Sequence, residues 1–479
     1  MRRRAAALLV AGVLGLPLAM QAQAPRALET FDAVWTKVRD THFDPGFDEQ
    51  AWDRVRAELR PRAAAAKTPG ELRDVLRDML GRLGLSHFAI IPSSPDAPGD
   101  NADFSGEPGF DVRLIGHDLV VSRVEPDGGA AAAGVRPGWK IERIDGTTAA
   151  SLLDAITAAT PERIARLAAW RAAVTRLRGP SGTSVTVTFS EADGATLTRT
   201  ITRHGEPGQA VTVGNLPTFH VRVEATPLTT PAGAPVGLIR FNVWMAAVDA
   251  PFARAIDRFR ASDGIIIDLR GNPGGLAAMI MGIAGHFLDQ RVALGVMKTR
   301  EGELRFTANP RLVDADGARV EPFKGPVAIL VDGLTGSASE CFAGGMQAIG
   351  RARVFGRTSM GQALPALFDQ LPNGDVFIHA WGDFETADGT RLEGRGVIPD
   401  EPAPLTRADL AAGRDAAEAA ALAWIDRARK SQGEPQLPAL RLRLAGPSGR
   451  LGSPAHAAFP AIIRTISGEV HGAAPAASR

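Results

Sequence analysis

Cysteine is almost missing from this chain: Cys341 is the one example in 479 residues. That excludes an intramolecular disulfide, so stability in any compartment has to come from packing. Charge of one sign is also missing, since the formal net charge is +1, and this removes the electrostatic case for nucleic acid or an acidic membrane surface as partner. No H-E-x-x-H run and no paired Cys/His spacing occurs, so neither a metal nor another cofactor is expected. The glycine-rich run from Gly271 to Gly275 fits neither the G-x-G-x-x-G nor the Walker spacing, which argues against a phosphate cradle. Tyrosine is absent altogether, a bias of composition that points to no mechanism. Internal repeats and coiled-coil heptads are lacking too. What remains is ordinary globular material: 45% apolar residues in a length that suits two or three domains.

The only extended apolar run is at the start. Arg2, Arg3 and Arg4 precede an apolar stretch from Ala5 to Met20, interrupted by Pro17 and followed by the small residues Ala22 and Ala24. This is the order of a secretory signal peptide, read here as residues 1–24, and it is too short and broken for a membrane span. Pro25 leaves the cleavage position open. Export to the periplasm or the medium is expected, with no membrane span after cleavage.

Residues 28–95 read as a helical domain. Leu72, Val75, Leu76, Met79, Leu80 and Leu83 form an apolar stripe at helical spacing, with Thr68 as cap, Pro69 in the first turn and Glu71 as capping-box acid. The sequence Ser86-His87 follows in the loop that leads to the apolar Phe88 to Ile91. A histidine in such a loop is more often structural than catalytic. Residues 101–205 have a different texture. Gly109 to Val112 starts a strand that Leu119 to Val124 continues, Ala130 to Gly134 is a short helix, and Lys140 to Ile144 a strand closed by Asp145-Gly146. Ser151 to Leu177 reads as mostly helical and Ser184 to Phe189 as a strand. This order resembles a PDZ domain, which implies that Gly109, Phe110, Asp111 and Val112 form a loop that captures the terminal carboxylate of an added peptide strand.

From Pro235 the pattern becomes βα repeats: strand Val236 to Phe241, helix Val248 to Arg260, and buried strand Gly264 to Leu269. A turn through Gly274 and Gly275 then leads into a helix reaching Phe287. The unit Pro326 to Gly350 repeats this, with an apolar strand from Val327 to Val331, a glycine-rich turn, and a helix that begins at Ser337. A serine at that handover meets free backbone N–H groups and a partial positive charge. It reads either as an ordinary N-cap or as a nucleophile whose helix stabilises the oxyanion it creates.

Three runs, Ile267 to Gly275, Gly336-Ser337-Ala338-Ser339-Glu340 and Glu393 to Asp400, stand in that order behind a PDZ-like region and resemble the S41 family of serine peptidases, which holds the carboxy-terminal processing and tricorn-like proteases. The resemblance covers residues 28 to about 430. It implies an α/β multidomain fold: the helical domain 28–95, a PDZ-like β-rich domain 101–205, and a βα-repeat catalytic domain 210–405 of crotonase/ClpP-like type. A helical segment 406–445 with Thr406 as cap and a flexible tail 446–479 complete the chain.

The family has a serine–lysine branch, whose lysine lies twenty-five positions past the serine. Here that position is Gln362, and Arg357 to Phe368 contains no lysine. Resemblance to the tricorn-like branch implies Ser337 as nucleophile, His87 as base, and Glu393 acting on the histidine through Ser86. Ala338 N–H with Gly275, and secondarily Gly274, is implied as the oxyanion hole. Glu385 and Asp383 are alternatives to Glu393. The expected activity is an exported endopeptidase acting on a polypeptide or its C-terminus. The alternative is an inactive peptidase fold that holds peptides or small apolar ligands. Oligomeric state is not legible.

Overall fold

The computed structural model describes residues 18–93, 104–154, 162–212 and 218–432. Most of the expected signal peptide, all of the expected tail 446–479 and part of the segment 406–445 lie outside the described residues. Among the described residues no helix is long and apolar enough to cross a membrane.

Three helices open the chain: α1 (Leu18–Thr41), α2 (Glu49–Ala65) and α3 (Pro69–Gly81). Asp48 caps α2 by accepting from Ala51 N–H at 2.9 Å, and Thr68 caps α3 by accepting from Glu71 N–H at 3.2 Å, which satisfies donors that a helix start leaves free. Only half of the expected capping box forms, because the Glu71 carboxylate accepts from Lys67 N–H rather than from Thr68 N–H. The apolar stripe of α3 packs against Phe31, Val34 and Leu59, and also against Leu371 and Phe377 from far along the chain. The short strand β1 (Ala89–Ile91) explains that company, since it pairs antiparallel with residues 376–378.

Arg73 lies on the buried side of α3 and makes a two-pronged ion pair with Asp375 at 2.9 and 2.6 Å, with 2% and 0% of the two side chains exposed. Ser93 N–H and Asn373 Nδ2 also donate to Asp375. Arg73→Ala strands a buried carboxylate and is expected to destabilise the fold by about 3 kcal/mol. A urea midpoint unchanged by the substitution contradicts this.

The next region is a sheet in which β2 (Phe110–Ile115), β3 (Asp118–Val124), β4 (Lys140–Ile144), β5 (Ser184–Ser190) and β6 (Thr196–Thr202) are antiparallel neighbours in chain order. The stretch 109–124 is therefore two strands rather than one: the chain reverses at Gly116, whose φ of +62° suits a tight turn. Helix α4 (Glu162–Leu177) lies against this sheet, with Ala173 and Leu177 buried among Val112, Ile141 and Phe189.

The main, mostly parallel sheet comprises β7 (Val223–Thr229), β8 (Pro235–Phe241), β9 (Gly264–Asp268), β10 (Val327–Val331), β11 (Arg353–Gly356) and a two-residue edge strand at Glu401–Pro402. Only β7 runs antiparallel; the others are parallel, and both faces are covered. Ile265 and Ile267 pack towards α5 (Asp249–Phe259), α6 (Met279–Gly285) and α7 (Ala338–Ala348). Ile266, Leu330 and Phe355 pack the other way, onto Ala417, Ala421 and Ile425 of α8 (Ala416–Gln432). Successive side chains alternate across a strand, so a sheet buried on both faces reads as a continuous apolar run. Helix α6 starts only at Met279, which leaves residues 270–278 as a loop where the sequence suggested helix from the glycine pair onward. Helix α8 is thus a layer of this sheet. A hairpin of Ala366–Gln370 and Val376–Ala380 takes β1 onto its edge, which carries the Ser86-His87 loop to the same side as the end of β10.

Candidate active site

Strand β10 ends at Val331, and the five residues after it are tied down before helix α7 begins. Thr335 Oγ1 donates to Leu269 C=O at 2.8 Å, and Gly336 N–H donates to Asn272 C=O at 3.0 Å. Ser337 then takes φ +54°, ψ −121° at the N-cap position, outside the extended region usual for a cap. Three non-glycine residues among those described have positive φ, and two of them are Ser337 and His87. Such conformations cost about 1–3 kcal/mol each and persist where the surroundings impose them.

A buried carboxyl does much of the imposing. Ser337 N–H is shared between Gln362 C=O at 2.8 Å and Glu340 Oε2 at 3.2 Å. Glu340 also accepts from Ser359 Oγ at 2.5 Å, Gly361 N–H at 2.6 Å and Gln362 N–H at 2.9 Å. Burial pushes its carboxyl up to about 7 against the pull of these donors. Sequence reasoning passed over Glu340 as a helix residue, although it closes the quoted Gly336 to Glu340 run. The position expected of a lysine, Gln362, touches Ser337 through its backbone.

Gly84, with φ +64°, ends the turn after α3, and His87, with φ +56°, leads into β1. Ser86 Oγ lies 2.8 Å from His87 Nδ1 and donates to Glu393 Oε2 at 2.9 Å. Ser86 N–H donates to Glu393 Oε1 at 3.0 Å, and Ala363 N–H to Oε2 at 2.9 Å. The alternatives to Glu393 are engaged elsewhere: Glu385 pairs with Lys298 at 2.7 Å, and Asp383 with Arg391. A hydroxyl has one proton to give. With Ser86 giving its own to Glu393, the Ser86–His87 bond takes its proton from Nδ1, which leaves a lone pair on Nε2. Burial, aided by the Arg171 charge on α4, lowers the His87 pKa to about 4, so the ring is neutral over the physiological range. Among the described residues no hydrogen bond joins that ring to Ser337 Oγ; such bonds often tighten only around substrate.

The loop after β9 packs directly beneath Ser337. A Cβ on Gly274 would stand 2.5 Å from Ser337 Cβ and 3.0 Å from Ala338 N. Asn272 holds both loops at once: its C=O accepts from Gly336 N–H, its Oδ1 accepts from Gly274 N–H at 3.0 Å, and its Nδ2 donates to Phe241 C=O. Gly274 N–H is therefore occupied. Gly275 N–H and Ala338 N–H make no hydrogen bond among the described residues, which ranks Gly275 ahead of Gly274 as a donor to a developing oxyanion.

The segment Gly109 to Val112 faces the main sheet. Asp111 pairs with Arg240 at 3.0 Å, and the neighbouring Arg113 pairs with Asp332 at 2.6 Å. On the β2 edge turned away from β3, α4 side chains take the carbonyls: Trp170 Nε1 donates to Val112 at 2.9 Å, and Arg166 donates to Leu114 at 3.0 Å and Gly116 at 2.9 Å. The lone Cys341 is buried in α7.

Residues 235–403 match Peptidase family S41, and residues 26–81 match the Tricorn protease C1 domain. The carboxyl-terminal-processing protease of a Picosynechococcus species is 27% identical over 384 residues, covering 78% of this chain and 82% of that protein. The chloroplastic carboxyl-terminal-processing peptidase 3 of Arabidopsis thaliana is 24% identical over 405 residues, covering 81% of this chain and 71% of that protein. The solved photosystem II D1 C-terminal processing protease shares the fold, with a TM-score of 0.52 at 22% identity over 82% of this chain and 98% of that one. Over residues 235–403 this chain is thus similar to the serine peptidases of family S41, and over most of its length to carboxyl-terminal-processing proteases.

Proposed function

We propose that the chain is an exported endopeptidase that cuts polypeptides through Ser337, His87, Ser86 and Glu393 rather than through a serine–lysine dyad. The observation that carries this reading is the hydrogen-bonded series His87, Ser86, Glu393, together with a glutamine at the position a lysine would need. His87 Nε2 takes the proton of Ser337 Oγ as the oxygen attacks the scissile carbonyl. The oxyanion is received by Ala338 N–H and Gly275 N–H at the start of α7, where the helix adds a partial positive charge. His87 then returns the proton to the leaving amine. Water attacks the acyl-enzyme, gives its proton to His87, and Ser337 is restored. Glu393 acts through Ser86, fixing the ring tautomer and stabilising the imidazolium.

In the same reading, 101–205 is a PDZ-like module in which Gly109, Phe110, Asp111 and Val112 receive a peptide end. A strand added along β2 displaces Trp170 and Arg166 from the carbonyls they hold. Arg2 to Arg4 and the apolar run after them support export.

A fluorophosphonate tests this at one residue and is expected to label Ser337. Because burial and Arg171 hold the His87 pKa at about 4, the labelling rate is expected to stay level through pH 6 and to fall as acidification through about pH 4 protonates the ring. A folded protein that Ser337 labelling never marks sinks the peptidase mechanism and leaves a peptide-holding fold. A rate that already halves near pH 6.5 removes the role of burial at His87.

A further inference from the structure

We propose that the cleft between β2, α4 and the carboxyl ends of β10 and β11 is a subsite for a carboxylate carried by the polypeptide substrate, with Arg357 and Arg395 as its ligands. The inference rests on the peptidase reading above and specifies what the substrate must present. The cleft encloses about 410 Å³. Its lining includes five arginines against one acid, Asp332.

Three of those arginines are committed. Arg113 is held by Asp332 at 2.6 Å, Arg166 donates to the carbonyls of Leu114 and Gly116, and Arg270 is held by Asp268 at 2.8 Å and Asp415 at 2.7 Å. The side chains of Arg357 and Arg395 make no hydrogen bond or ion pair among the described residues, their backbone N–H groups donating to Val331 C=O and Leu392 C=O. Arg357 directly follows β11, in the crevice outside the carboxyl ends of parallel strands, where ligands of such sheets bind. Arg395 stands two residues past Glu393, in the turn that brings that acid to Ser86.

The rest of the lining narrows the ligand class. Leu167 on α4 and Leu334 in the nucleophile loop pack with Met360 as one apolar cluster, and Trp170 lies against it. Apolar walls around surplus guanidinium charge concentrate positive potential, and a planar carboxylate matches the guanidinium fork in two-pronged geometry. An inorganic anion would use the cations and waste the walls. A carboxylate beside an apolar side chain uses both. The cleft also shares a wall with the nucleophile: Ser359 lines it and donates to Glu340, whose second oxygen accepts from Ser337 N–H. An extended peptide lying in the cleft thus runs beside the nucleophile loop.

The carboxylate has two sources, the peptide's C-terminus or an Asp or Glu side chain, and peptides separate them. Three fluorescein-labelled apolar peptides are needed: one with a free C-terminal acid, one amidated, and one amidated with a single internal Glu. Their affinities for the full chain carrying Ser337→Ala are read by anisotropy, so that binding is measured whether or not the wild type cleaves. At least one carboxylate peptide is expected to bind about 10-fold tighter than the plain amide, a difference of about 1.4 kcal/mol. Adding Arg357→Gln and Arg395→Gln together is expected to erase that preference and leave the affinity for the amide unchanged. Equal affinities for all three peptides, or a preference that survives both substitutions, overturns the proposal. Ser337 labelling by a fluorophosphonate in the otherwise wild-type double variant checks that the fold is intact. Absent labelling in the wild type itself is the failure of the peptidase mechanism, which the anisotropy reads independently.

Discussion

Ser337→Ala is expected to lower kcat on a peptide by at least about 10⁴-fold, and His87→Ala by a similar factor, because nucleophile and base act as one unit. Gln362→Ala is expected to cost less than about 10-fold. The reason for the contrast is positional. Gln362 supports Ser337 with its carbonyl and supports Glu340 with its N–H, and alanine keeps both. Steady-state kinetics on purified variants, each checked by thermal unfolding, measures the ranking. Undiminished turnover in Ser337→Ala removes the nucleophile, and a Gln362 loss larger than the His87 loss returns a catalytic part to the lysine position.

Gly274→Ala is the second substitution with a large expected effect. Its methyl group would meet Ser337 Cβ and stand 3.0 Å from Ala338 N, in the space an oxyanion needs. Loss of one oxyanion donor costs about 10²–10³-fold in kcat, and a comparable drop is expected here with little change in KM. The backbone adds a separate burden, since φ at Gly274 is +105°, a conformation that side chains rarely adopt. Stability and turnover therefore have to be read together, with Gly282→Ala as the control: a Cβ there meets nothing within 4 Å. Retention of full kcat by a folded Gly274→Ala protein rules out a donor site between that loop and Ala338.

What could be read from the chain alone was what is local. The apolar run from Val327 to Val331 is a strand, and Thr68 caps a helix whose stripe is buried, because strand burial and cap chemistry act within a few residues. The reversal at Gly116 was missed because Gly109 to Val124 is apolar on either side of a turn that only one glycine marks. Arg73 on the buried side of α3 was illegible for a different reason: its partner is 302 positions away. Glu340 looked like any helix acid until the loop 359–362 folded over it. The adjacency of Ser86 and Glu393 depends on β1 joining a hairpin near the end of the catalytic region, a pairing that no periodicity announces. The carbonyl edge of β2 looked open from its sequence, and only the packing of α4 shows it taken.

The bond between Ser86 and Glu393 spans 307 positions, and this dictates when the site comes into existence. A ribosome adding roughly 5–20 residues per second needs roughly 15–60 s to travel from one partner to the other. Throughout that interval the growing polypeptide carries Ser86 and His87 without the carboxylate that receives the Ser86 proton. In the proposed mechanism an unfinished chain therefore has no base of fixed tautomer, and its peptidase chemistry waits for Glu393 to arrive.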